Sequence, residues 1–126
     1  MIAAISPWEI LIRALTCLPR APGRNDASVN WLSANGGSQS RIYSDQVSLF
    51  HLLYDYGRIS FPRLEILSNS SIVNDGDYMY LRTVNVVDGI VGPSLSDSYN
   101  ITEIAYLLGE SNKVYANGLS EVFIYP

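Results

Sequence analysis

The sequence predicts an α+β fold in which three helices pack on a mostly antiparallel sheet of about four or five strands. A chain of 126 residues that is 48% hydrophobic is long enough to form one domain with a core. Three segments carry helix caps, and the later part of the chain has β-prone runs separated by Asp-Gly and Asn-Gly turns. We therefore treat residues 1–126 as a single domain.

The first predicted helix occupies residues 1–18. Ser6 is the expected N-cap, Pro7 fits the first helical position, and Glu9 completes a capping box. Apolar residues cover most of its surface, so we expect it to lie in the core or to dock on another subunit. The apolar run is too short and too interrupted for a membrane span, and no basic residue precedes it as in a signal peptide. The sequence thus predicts neither a membrane span nor an export signal.

The next segment, residues 19–41, is rich in Pro, Gly, Ser and Asn and shows no sustained periodicity. This composition predicts a long loop or arm before an α+β core over residues 42–126. Trp31 and Leu32 are apolar enough to anchor the arm, either on its own domain or on a neighbouring molecule.

Two further helices are predicted in the core. Residues 43–57 form one, which Ser44 caps and Gly57 ends. Residues 100–109 form the other, with Asn100 as its cap. Together with residues 1–18 they make up the three helices of the predicted fold.

The strands are predicted from alternation and turn signals. The expected extended segments are residues 58–67, 77–87, 113–116 and 119–125. Asp75-Gly76 marks a tight turn, and Asn117-Gly118 predicts a hairpin. In the strand at 77–87, Met79 and Tyr80 fall on opposite faces, which indicates that both faces of the sheet are covered.

The charge is sparse and unevenly placed. Charged residues make up 16% of the chain and the net charge is −4, whereas Tyr occurs nine times. Residues 1–63 carry six bases and four acids, giving +2; residues 64–126 carry two bases and eight acids, giving −6. A Tyr-rich surface with few charges suits protein contact, and opposite-signed halves could bring copies together. The acidic total argues against general nucleic-acid binding.

Few residues offer catalytic or metal chemistry. Cys17 and His51 are single, so neither an intramolecular disulfide nor a Cys/His zinc cluster can form. The segment 74–77, NDGD, lacks the later ligands of a calcium loop and is interpreted as a turn. Asp55, one helical turn after His51, could orient it as a general base, but no motif supplies a nucleophile. We predict no catalytic residue, no metal and no cofactor.

Two triplets match the N-glycosylation pattern, at Asn69-Ser70-Ser71 and Asn100-Ile101-Thr102. With nine Asn in the chain, roughly one such match is expected by chance. In the absence of a signal peptide we interpret both as unmodified.

These observations favour a non-enzymatic structural or interaction subunit of a larger protein assembly, homo-oligomeric or multi-subunit, such as that of a virion or phage. It would be intracellular or virion-associated and would contact its neighbours through the N-terminal helix and the arm. The predicted interface residues are Trp8, Leu11, Leu15, Trp31, Leu32, Tyr78 and Tyr80. Two alternatives remain open: a small enzyme that uses His51 with a carboxylate, and a small regulatory module that binds a protein.

Overall fold

The computed structural model describes residues 24–37, 39–94 and 96–126. Its helices are α1 (Arg24–Asn35), α2 (Ser48–Tyr56), α3 (Val84–Asp88) and α4 (Ala105–Glu110), of which α2 and α3 are π-type. The strands are β1 (Ile42–Ser44), β2 (Leu64–Ile66), β3 (Tyr78–Leu81), β4 (Ile90–Val91), β5 (Tyr99–Asn100), β6 (Asn112–Ala116) and β7 (Glu121–Ile124). The predicted helix at 1–18 lies outside the described residues, and so do Trp8, Leu11 and Leu15.

The α+β class is confirmed, and the main sheet is mixed in direction. Its five strands are ordered β2-β1-β3-β7-β6, and β4 and β5 form a separate antiparallel pair. β1 runs parallel to both β2 and β3, whereas β7 is antiparallel to β3 and β6. The expectation of a mostly antiparallel sheet is therefore wrong for one half of it. Because β1, β2 and β3 are parallel, each of the two connections between them carries the chain back to the end of the sheet at which β1 begins. The first of these connections, from β1 to β2, contains α2.

Helix α2 begins later than predicted because the residues before it form β1. Ser44 lies in that strand, and its hydroxyl donates to the Tyr80 carbonyl oxygen at 2.6 Å. The capping role passes to Asp45, whose Oδ1 accepts from the Ser48 amide at 2.9 Å. Three buried residues in a row show no alternation, so the sequence pattern did not reveal β1.

The predicted strand at 77–87 ends after Leu81, and the chain then turns into α3. The Asn85 side chain accepts from the Arg82 amide at 2.9 Å, and the Val86 amide donates to the Arg82 carbonyl at 3.1 Å. These local bonds replace the ladder that a longer strand would make. The prediction that both faces of this strand are covered is confirmed, since every residue of β3 is buried.

Helix α1 lies where a loop or arm was predicted, so that prediction is wrong for residues 24–35. Val29 and Leu32, three positions apart, are 0% and 1% exposed and pack into the core. The helix approaches α2 so closely that a Cβ on Gly57 would lie 2.6 Å from Val29 Cγ1. Its remaining surface is mostly Asn, Ser and Asp, which concealed the helical period in the sequence.

The C-terminal elements agree with the sequence prediction. Asn100 caps a 3₁₀ turn, Ile101–Ile104, that continues into α4, and its Oδ1 accepts from the Thr102 amide at 3.0 Å. β6 and β7 pair around Asn117-Gly118, where Gly118 has φ of 91°. A register shift between Lys113 and Tyr115 marks a bulge in β6.

Alternate side chains of the sheet feed two hydrophobic clusters. The first cluster lies beneath α1 and α2 and receives Ile42, Tyr80 and Val122 from the sheet. The second lies beneath α4 on the opposite face and receives Met79 and Phe123. A helix with the length and hydropathy needed to cross a bilayer does not occur among the described residues.

Candidate interaction surface

Three of the predicted interface residues belong to the core of their own chain. Leu32 is 1% exposed, Tyr78 9% and Tyr80 0%. The Tyr80 hydroxyl is also satisfied internally, at 2.9 Å from Ser28 Oγ and 3.2 Å from the Asn25 carbonyl oxygen. Their assignment to a partner surface is therefore wrong, and the reason is α1, which covers this face of the sheet.

Trp31 has a different position from these three. It is half-buried at the side of the first cluster, and its ring lies 5.4 Å from that of Tyr115. Its indole covers the side of the sheet near β6 and keeps part of its surface accessible.

A cluster of apolar side chains that is partly exposed lies beside α2, and we call it the aromatic edge. It consists of Phe50, Tyr54, Phe61 and Ile66. The Phe61 ring lies 5.5 Å from Phe50 and 5.4 Å from Tyr54, in an edge-to-face contact with the latter. Tyr54 and Phe61 are each 49% exposed and Ile66 is 39% exposed. The three rings hold one another in place, with Phe50 half-buried and about half of the Tyr54 and Phe61 surfaces open to solvent.

Local sequence explains how these rings meet. Phe50 and Tyr54 are four residues apart, so they lie on one side of α2. After the helix, Arg58 takes a left-handed φ of 57°, and the Ile59 amide donates to the Leu53 carbonyl at 3.0 Å. The chain is thereby folded back along α2, and the 3₁₀ turn Phe61–Arg63 places the Phe61 ring against the helix.

β2 forms the adjoining rim of the sheet. It pairs with β1, and no described strand covers its other side. Leu64 packs against the first cluster, so Ile66, two residues later, points to the same face as α2. The aromatic edge therefore continues from the helix onto an open sheet rim.

A buried polar centre fixes α2 on the sheet. It comprises Asp45, Arg82 and Asn85, with the Asp45 side chain 1% exposed. Arg82 Nε donates to Asp45 Oδ2 at 3.0 Å and Oδ1 at 3.2 Å, and Asn85 Nδ2 donates to Oδ2 at 3.0 Å. Together with the Ser48 amide, these donors occupy both carboxylate oxygens. The same Asn85 amide group reaches the Ile90 carbonyl oxygen at 2.7 Å, which ties β4 to the centre.

The polar centre stands at the carboxyl ends of the parallel strands β1 and β3, which is where α/β sheets commonly bind ligands. Here the chain's own side chains fill the position. Nearby, Tyr99 donates its hydroxyl to the Leu67 carbonyl oxygen at 2.8 Å. Burial, followed by the charge of Asp45, raises the pKa of this phenol well above its usual value. The bonds between Asp45 and Arg82 are those of a structural ion pair.

The remaining candidates for chemistry are dispersed. His51 is half-buried in α2, and Asp55, one turn later, is exposed. In the NDGD segment, Gly76 has φ of 86° and the Asp77 amide donates to the Asn74 carbonyl at 3.1 Å, as expected for a turn. Asp77 Oδ1 accepts from the Arg41 amide at 3.0 Å. In the part of the chain that the structure covers, no three His, Cys, Asp or Glu side chains converge in a way that could hold a metal ion.

In the sequence, Phe50 and Tyr54 are four residues apart and fall on the apolar face of the helix predicted at 43–57, but this pattern does not indicate that the Tyr54 ring stays exposed. The signal that could have revealed it is the proximity of Phe61-Pro62 to the end of that helix. A proline so close to a helix end favours a compact reversal, which brings the next aromatic residue back onto the helix.

Comparison with known protein families gives a match over residues 6–123 to the model described as "Predicted membrane protein (DUF2206)". Comparison with curated proteins finds no match. Comparison with solved structures also finds none.

Proposed function

The chain belongs to the DUF2206 family of predicted membrane proteins, and on that basis we propose that it is a non-enzymatic interaction domain within a membrane-associated protein assembly. The aromatic edge is the surface that makes the contact. Its occupant is an apolar face of another protein in that assembly. The family description favours a membrane setting over the virion setting suggested by composition.

The observation that carries the proposal is the exposure of Tyr54 and Phe61. Two rigid aromatic rings, each 49% exposed and in mutual contact, are typical of the anchors at the centre of protein interfaces. Burying the two rings would remove apolar surface from water. It would cost little side-chain entropy, because their contacts already fix both rings. The sparse charge of the chain supports the same function.

The contact is expected to be made by side chains rather than by an added strand. β2 has three residues, and Pro62 shortly before it has no amide hydrogen to donate. Short rims of this kind resist strand addition. The partner surface should therefore receive the two rings in an apolar depression.

Site-specific photo-crosslinking in native membranes tests this proposal. A photoreactive phenylalanine analogue is placed at position 54, at position 61 or, as a control, at position 106. Tyr106 is 52% exposed and lies in α4 on the opposite face. We expect positions 54 and 61, but not 106, to crosslink to the same protein.

The crosslinked peptide of the partner is then identified by mass spectrometry, and its apolar residues are replaced. Loss of both crosslinks after that replacement, and loss of the crosslink from position 54 after Phe61→Ser, would support the proposal. Crosslinks to lipid alone, or equal yields at all three positions, would refute it. His51→Ala distinguishes the enzyme alternative, since the interaction proposal expects the variant to retain function.

A further inference from the structure

We propose that Asn100 is a site of N-linked glycosylation. The proposal depends on the family membership of the chain but not on the aromatic edge. The modifying reagent would be an oligosaccharide carried on a polyprenyl phosphate or pyrophosphate, delivered by an oligosaccharide transferase.

The interpretation of the two Asn-x-Ser/Thr triplets as unmodified depends only on the expectation that the protein is not exported. A membrane protein does not require a cleaved signal to expose a domain on the outer side, so that objection loses its force. Whether a triplet can be glycosylated then depends on whether it is accessible in the folded chain.

Asn100 meets this condition. Both Asn100 and Thr102 are exposed. The Asn100 side chain uses its Oδ1 to accept from the Thr102 amide at 3.0 Å. Its Nδ2 donates to no group within the described part of the chain, so the nitrogen that would be modified faces solvent. The Thr102 hydroxyl is likewise unused there.

Asn69 lies on the same side of the molecule and is a poorer acceptor. Its Nδ2 donates to Glu103 Oε1 at 2.8 Å, and the Tyr106 hydroxyl lies 3.5 Å from its carbonyl oxygen. Within its triplet, Ser71 Oγ accepts from the Ser68 amide at 2.8 Å and donates to the Ile66 carbonyl at 3.2 Å. A transferase acting at Asn69 would have to displace Glu103 from Nδ2 and release the Ser71 hydroxyl from its bonds.

Folding therefore brings together two triplets that are distant in sequence. Glu103 and Tyr106, which contact Asn69, follow directly after Asn100 in the 3₁₀ turn and α4. Between them, Ile104 points inward and is 0% exposed in the second cluster. The triplets thus share the outer surface over the second cluster, whereas the aromatic edge adjoins the first. A glycan at Asn100 would leave the aromatic edge uncovered.

The reaction joins Asn100 Nδ2 to the anomeric carbon of the first sugar. The bond between that carbon and the phosphate oxygen breaks, and the polyprenyl phosphate or pyrophosphate leaves with the electron pair. The amide nitrogen loses one proton to a base of the transferase. No oxidant or reductant takes part.

Glycopeptide mass spectrometry of the full-length protein, purified from the membranes of its native source, tests the proposal. We expect sugar mass increments on the peptide containing Asn100 and lower occupancy at Asn69. Thr102→Ala should abolish the increment, and Thr102→Ser should retain it. Neither change removes the cap, since the bond to Asn100 is made by the backbone amide.

Asn100→Asp provides a second test, because it retains the capping oxygen and removes only the amide nitrogen. It should leave folding intact and eliminate the increment. An unmodified Asn100 peptide in the native-source protein would overturn the proposal. So would an increment that persists in Thr102→Ala, or a domain that is protected from protease added outside the cell. None of these outcomes depends on the crosslinking result at Phe61.

Discussion

Removing the Arg82 side chain should destabilise the fold far more than removing an exposed cation. In Arg82→Met the carboxylate of Asp45, 1% exposed, loses the donor at 3.0 Å and keeps the Ser48 amide and Asn85 Nδ2. Breaking one side of a buried pair costs about 3–5 kcal/mol. Because Arg82 is itself 20% exposed and two donors remain, we expect about 3 kcal/mol, near the lower bound.

The measurement is urea denaturation at neutral pH, followed by far-ultraviolet circular dichroism. Arg41→Met is the matched control, since Arg41 pairs with Glu65 at the surface, with side chains 52% and 39% exposed. Such a pair contributes about 0–1 kcal/mol. Equal losses in Arg82→Met and Arg41→Met would refute the structural role of the polar centre.

Three further substitutions test single residues. The pKa of Tyr99 is raised in the folded state, so its proton is retained where the unfolded chain has lost it, and stability should fall as pH rises above about 10. Thermal midpoints measured across this range should decline less steeply in Tyr99→Phe, and parallel curves would contradict the assignment. Gly118→Ala should cost about 1 kcal/mol because φ is 91°. By contrast, Gly109→Ala in α4, where an added Cβ meets no atom within 4 Å, should stabilise the protein by about 0.5–1 kcal/mol. Urea midpoints that move in the same direction would show that one of these backbone assignments is wrong.

The parts of the fold that the sequence predicted are those specified by neighbouring residues. The hairpin at Asn117-Gly118 and the cap at Asn100 depend on contacts within a few positions, so local pattern was sufficient. The capping of α2 was misassigned by one residue, because Ser44 and Asp45 are both good caps and only the pairing of β1 decides between them. That pairing joins segments far apart in the chain.

The errors have the same physical origin. Val84 and Val86 alternate as in a strand, yet the side chain of Asn85 turns the backbone into α3. The salt bridge between Asp45 and Arg82 spans 37 positions, and no local signal indicates it. The burial of Tyr80 follows from its contacts with α1, where a loop was predicted from the sequence. A residue's exposure could not be predicted without first knowing which element covers it.

The bulge in β6 gives the five-stranded sheet two unlike margins. Along the β6 margin, Lys113 pairs with Glu121 at 2.6 Å. The register shift after Lys113 interrupts the ladder of hydrogen bonds that an incoming chain would need. A charged, irregular border of this kind prevents copies from stacking side by side into fibres. Two copies placed side by side along this border would therefore lack a continuous ladder of backbone groups through which to pair.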